Sequence, residues 1–157
     1  MSGPRWSQDG AVPIPVVLYL LVTSLYAGFQ WTVHVAVYRQ FAAVPEDAFP
    51  RYESLHQRRI SYLVGPLFGA LVLGTGWLVL DRPPSVPGWA PAVAAALLAV
   101  LLGATAFLAV PQHRRLGVAW DPVAYRALLS ADLIRVIAAT TSLALAVGLA
   151  VAASGQG

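Results

Sequence analysis

Apolar residues along this chain fall into four long stretches, at about 15–38, 60–80, 89–110 and 133–153. Each approaches or exceeds the roughly 20 residues that an α-helix needs to cross the hydrocarbon core of a bilayer. Lipid cannot satisfy backbone N–H and C=O groups, so stretches of this kind close their hydrogen bonds within a helix. The pattern predicts an all-α integral membrane protein, a four-helix bundle forming one domain over 1–157.

The flanks sharpen the elements. Asp47, before Ala48-Phe49-Pro50, predicts a cap for the second helix, and Asp121-Pro122 predicts an N-cap and first-turn pair for the fourth. Both helices are expected to start well before their apolar runs, with amphipathic first turns. The segment Arg82-Pro83-Pro84-Ser85-Val86-Pro87-Gly88 predicts a turn between helices two and three. The first apolar stretch follows Arg5 and continues past Phe29 without a small-residue cleavage site, so it is expected as a retained helix rather than a signal peptide.

Small residues recur every fourth position at Gly65 and Gly69, at Ala95, Ala99 and Gly103, and at Ala144, Gly148 and Ala152. They are expected to be close-packing faces, inside the bundle or against a second copy or another protein in a homo- or hetero-oligomer. A shift of 73 places aligns Val37 with Val110, Tyr52 with Tyr125, Leu55 with Leu128 and Ile60 with Leu133. This suggests two related helical hairpins.

Charge changes the picture by its placement. Only 11% of residues are charged, and all ten basic residues are arginine. They sit at the ends of apolar segments rather than on one polar face, which argues against a nucleic-acid partner and for the lipid bilayer. Arg39, Arg51, Arg58 and Arg59 lie between helices one and two. Arg114, Arg115 and Arg126 lie between helices three and four, with Arg135 just inside the fourth. The other side has only Arg5 and Arg82. The positive-inside rule then predicts a multi-pass cell-membrane protein with cytoplasmic arginine-rich segments and both termini outside. Trp77 and Trp89 fit an aromatic belt on one side and Trp120 on the other. Cysteine is absent, which excludes disulfides, thiolate catalysis and cysteine-ligated metals.

The chemistry lies in polar residues that lipid would reject. Gln30, Trp31, His34 and Tyr38 share a face of helix one, with His34 about a turn inside the span. On helix two, Tyr52, His56 and Arg59 share a face, with Glu53 and Gln57 beside them. Glu53-x-x-His56 has the spacing of carboxylate-bridged di-metal bundles, but no second copy exists; an ion pair between Glu53 and a nearby arginine is the plainer reading. Asp132 and Arg135 share a face of helix four with Tyr125 and Leu128 and can pair with each other. His34, His56 and His113 all fall at one end, as candidate ligands of a single copper, zinc or iron ion or as a general base near neutral pH. No nucleotide-binding or hydrolase fingerprint is present.

The order Gly28-Phe29…His34…Val37-Tyr38, then Phe49-x-x-Tyr52-x-x-x-His56-x-x-Arg59-Ile60 and Pro66, then Pro111-Gln112-His113-Arg114-Arg115-Leu116-Gly117, then Leu129-x-x-Asp132-Leu133-Ile134-Arg135, resembles a four-helix membrane family. That family is of unknown function and includes the fungal anthrone-oxygenase-like proteins. The likeness covers most of the chain. It departs where the family often has proline after the tyrosine (here Arg39) and histidine in place of Glu53. The resemblance implies a hydrophobic aromatic substrate, oxidised without a well-defined cofactor.

Two functions follow as expectations. One is a membrane oxidoreductase, oxygenase-like or acid–base, acting on a hydrophobic small molecule. There His34 is the base, Tyr38, Glu53, His56 and Arg59 assist it, and Gln30, Trp31, Tyr52, Asp132 and Arg135 line the pocket. The alternative is a non-catalytic accessory or scaffold subunit whose polar cluster is structural.

Overall fold

The computed structural model describes residues 11–155. They form four helices, each long and apolar enough to cross a membrane: α1 (Ile14–Phe41), α2 (Phe49–Leu80), α3 (Ala90–Leu116) and α4 (Pro122–Ser154). This is an all-α, multi-pass bundle. Arg5, counted in the charge asymmetry, lies outside the described residues.

α1 packs on α2 and α4, and α3 packs on the same two, so the helices close into a square. α4 explains how. Its buried residues include Ala124, Ala131 and Ala138, then Leu128, Arg135, Ser142 and Leu149, then Ala139, Ala146 and Ala153. Each set repeats every seven residues, the period of left-handed helix packing. Alanine along these rows lets neighbouring backbones approach where no hydrophobic effect drives them together.

The every-fourth small-residue rows expected to pack do not do so within this chain. A Cβ at Gly65, Gly69 or Gly148 would meet nothing within 4 Å. Ala95, Ala99, Ala144 and Ala152 are exposed as well. The close approach falls instead at Gly74, where a Cβ would stand 2.9 Å from Val22 Cγ2 on α1.

Both long helices begin early, as expected, but by different devices. Asp121 caps α4: its Oδ1 accepts the backbone N–H groups of Val123 at 2.8 Å and Ala124 at 3.1 Å. Asp47 caps nothing. The N-cap position of α2 is Ala48, with no side-chain cap. The preceding turn already supplies partners, with Ala48 N–H on the Pro45 carbonyl and Phe49 N–H on the Glu46 carbonyl.

α3 also runs on past Pro111, where an end was expected. Proline lacks an N–H and its ring collides with the carbonyl four residues back. A wider π-helical turn over Ala104–Ala109 immediately precedes it, opening the backbone where a regular α-helix would clash. α1 has a similar turn at Val33–Val37.

Apolar side chains form three clusters along the bundle. One, at the end bearing the 81–89 turn, gathers Val16, Tyr19, Leu78 and Val86. A middle one holds Tyr26, Leu71, Leu101 and Ala138. The third, toward the 42–48 and 117–121 connections, holds Phe41, Phe49, Leu116 and Leu128. Many large apolar residues, such as Leu25, Leu63, Leu73 and Phe107, point outward, as a bilayer permits and water would not.

Candidate active site

Between the middle cluster and the third lies a polar layer built from all four helices. α1 contributes Tyr26, Gln30, His34 and Tyr38. Residues four apart on a regular α-helix drift by about 40° per step. The π turn at Val33–Val37 winds the chain back, so Gln30, His34 and Tyr38 all reach the layer.

Asp132 on α4 is fully buried. Its Oδ1 accepts Gln30 Nε2–H at 2.6 Å and Arg135 Nη2–H at 3.0 Å, and its Oδ2 faces His34 Nδ1 at 2.7 Å. Tyr26 donates its hydroxyl to Gln30 Oε1 at 3.1 Å. The expected Asp132–Arg135 pair therefore forms, and His34 joins it. Such burial is tolerable only because each charge has partners.

Glu53 on α2, also fully buried, pairs with no arginine. Its Oε1 lies 2.5 Å from His113 Nδ1 and accepts Gln57 Nε2–H at 3.0 Å. Gln57 also donates to the His113 carbonyl at 3.1 Å. Glu53 Oε2 has no partner.

Tyr38 joins the two halves. Arg135 Nη2 donates to the Tyr38 hydroxyl at 3.1 Å, and that hydroxyl lies 3.0 Å from His113 Nε2. Arginine can only donate, so the hydroxyl accepts from Arg135 and its own proton is free to go to His113 Nε2. With the proton so placed, His113 Nδ1–H donates to Glu53.

An apolar plug seals this layer from the bundle end. Phe41, Phe49, Leu116 and Leu128 show no exposed surface. Each stands three or four residues endward of a layer member: Tyr38, Glu53, His113 and Asp132. Trp120 closes over Phe49 with ring centroids 4.6 Å apart. The layer's opening is lateral. A cavity of about 150 Å³ between α2 and α3 is lined by Tyr38, Gln57, Ile60, Thr105, His113 and Arg135. Arg135 Nε is buried without a partner.

The remaining expected residues lie elsewhere. Trp31 is exposed and donates to Thr140 Oγ1 at 3.1 Å on the outside of the bundle. His56 stacks on Tyr52 and on His113, with centroids 6.4 and 5.9 Å away, but lines a separate groove with Tyr52 and Arg59. The three histidines do not converge on one point. Among the described residues no three His, Asp or Glu side chains gather as a metal ion would require.

Compared with known proteins, the chain matches no family model, no curated protein and no solved structure.

Gln57 and Tyr26 are layer members that the sequence reading left out of the site, and His113 has a larger part than a candidate ligand. One signal in the sequence points to the pairing. His34 and His113 are 79 residues apart, and so are Glu53 and Asp132. Each histidine sits on the first helix of a hairpin and binds the acid from the second helix of the other hairpin. The 73-residue shift aligns the helix starts and misses this.

Proposed function

We propose that the chain is a membrane-embedded acid–base catalyst acting on a hydrophobic aromatic molecule that bears a phenol or an activated C–H. The observation that carries this is the Tyr38 hydroxyl, held between Arg135 and His113 on the wall of a cavity that opens sideways between α2 and α3. A lipid-soluble molecule has a route to that cavity within the bilayer.

His113, oriented by Glu53, is the base. It takes the Tyr38 proton at Nε2 as Tyr38 takes the substrate's proton, so one proton passes from substrate to imidazole. Glu53 balances the imidazolium, and Arg135 faces the negative charge left on the substrate oxygen. His34 is bound to Asp132 and does not line the cavity, so it is not the base.

An electron-rich substrate anion can then react with molecular oxygen. Conversion of a ring CH₂ to C=O consumes one O₂ and releases one water, the chemistry implied by the resemblance to anthrone-oxygenase-like proteins. The test is oxygen uptake by membranes containing the protein, supplied with a hydroxyanthrone. Tyr38→Phe is expected to slow it about 100-fold. A rate equal to wild type, or a wild-type protein inert toward such substrates, would sink the reading.

A second reading rests on the outward-facing Gly65, Gly69, Ala95 and Ala99. Small residues on a lipid-facing surface suit contact with another helix, so an accessory subunit is the alternative. A partner that co-purifies in mild detergent and is lost in Gly65→Leu/Gly69→Leu would support it. The arginine-rich connections support a cytoplasmic polar end, with both termini outside.

A further inference from the structure

A second groove lies on a neighbouring face of α2 and shares Ile60 with the cavity. It measures about 290 Å³ and is lined by Val37 of α1 with Tyr52, His56, Arg59, Ile60 and Leu63 of α2. Tyr52, Leu55, His56 and Arg59 occupy the end near the 42–48 connection, flanked by Val37, while Ile60 and Leu63 continue toward the middle of the bundle as a purely apolar stretch. From Tyr52 to Leu63 the helix rises about 16 Å, enough for a headgroup and the first part of an acyl chain.

Charge identifies the occupant. Arg59 is exposed and, among the described residues, has no carboxylate within ion-pair distance, whereas Arg115 on α3 has its own in Asp121 at 2.6 Å. Arg59 directly precedes the apolar run of α2, the position in which basic residues flank membrane spans. Arginine binds phosphate through paired N–H groups, and the side groups of Tyr52 and His56 stand beside it.

We propose that this groove binds one phospholipid with an anionic headgroup, its phosphate on Arg59 and His56 and its acyl chain along Ile60 and Leu63. The site stands independently of the catalytic reading.

Native mass spectrometry of the protein in detergent tests it, with dioleoylphosphatidylglycerol and dioleoylphosphatidylcholine as probes. Wild type is expected to retain one phosphatidylglycerol in clear preference to phosphatidylcholine. Arg59→Gln should weaken retention about five- to tenfold, the effect of losing one arginine contact to an anionic lipid. Arg58→Gln removes the same charge from an adjacent residue outside the groove and should change it less than twofold. Leu63→Trp fills the apolar end, keeps every charge, and should also displace the lipid. Equal losses in Arg58→Gln and Arg59→Gln would reduce the effect to a diffuse surface field and overturn the site. Equal retention of the two lipids, competition by inorganic phosphate alone, or full retention in Leu63→Trp would overturn it too.

Discussion

Tyr38 and His113, from α1 and α3, meet across the bundle in one 3.0 Å hydrogen bond. Arg135 donates to the same hydroxyl at 3.1 Å and cannot accept. The hydroxyl can accept from Arg135 and donate to His113 at once. Tyr38→Phe removes the oxygen that both neighbours use. It should lower activity about 100-fold and stability by about 1–3 kcal/mol, since Arg135 and His113 each lose a partner inside the bundle. His113→Ala should match it in activity. His34→Ala leaves the Tyr38–His113–Glu53 chain whole and should cost about tenfold or less. Parallel rate measurements on the three variants check the order, and a larger loss in His34→Ala than in His113→Ala would reverse the assignment of the base.

Asp132 is where three side chains meet: Gln30 and His34 from α1 and Arg135 one turn along α4. Asp132→Ala leaves Arg135 buried with only Tyr38. Breaking a buried pair from one side costs about 3–5 kcal/mol. Asp132→Leu combined with Arg135→Met removes both charges and should recover much of that loss. Thermal unfolding in one detergent, comparing the single and double variants, checks it. If Arg135→Met adds to the damage, the pair does not act as a unit.

The four helices were legible because lipid is a demanding solvent: it requires about 20 apolar residues per crossing and leaves those runs plain in the sequence. The Asp121 cap was legible because capping is local. The polar layer was legible only in its members. Glu53 drew attention for its spacing to His56 within one helix, yet its partner is His113, 60 residues on, across the bundle. Same-face counting placed Trp31 beside His34, and the two rings do meet edge to face at 5.9 Å, but one residue from Gln30 is a rotation of about 100°, enough to keep the indole out of the polar layer. The π turns could not be read from hydrophobic period at all, since each adds about one residue to a turn without changing composition.

Gly74 provides a test of packing away from the site. A Cβ there would meet Val22 Cγ2 at 2.9 Å. Valine is stiff at χ1 and cannot swing aside cheaply. Gly74→Ala should therefore destabilise by about 1–3 kcal/mol, and Val22→Ala in the same chain should relieve most of it. Gly69→Ala, which meets nothing within 4 Å, should leave the monomer unchanged. Melting temperatures of the four proteins decide it, and a Gly69→Ala loss equal to that of Gly74→Ala would show that the outward glycine row packs against something after all.

Asp121 carries a pH dependence whose sign follows from its contacts. The backbone N–H of Ala124, then that of Val123 and the Arg115 guanidinium, hold its carboxyl below the usual carboxylate range. A carboxyl depressed in the folded state stabilises it above the unfolded value, about 3.9. That contribution disappears as pH falls through the lower folded value. Wild type should therefore melt higher than Asp121→Ala at neutral pH, with the gap closing in acid. Asp121→Asn keeps a side-chain oxygen for the two N–H groups but loses the charge facing Arg115. It should sit close to wild type with a gap that does not grow with pH above the carboxylate range. Melting curves from acid to neutral pH separate the three. A constant wild-type–Asp121→Ala gap across that range would mean that the carboxyl titrates alike in both states, against the capping geometry.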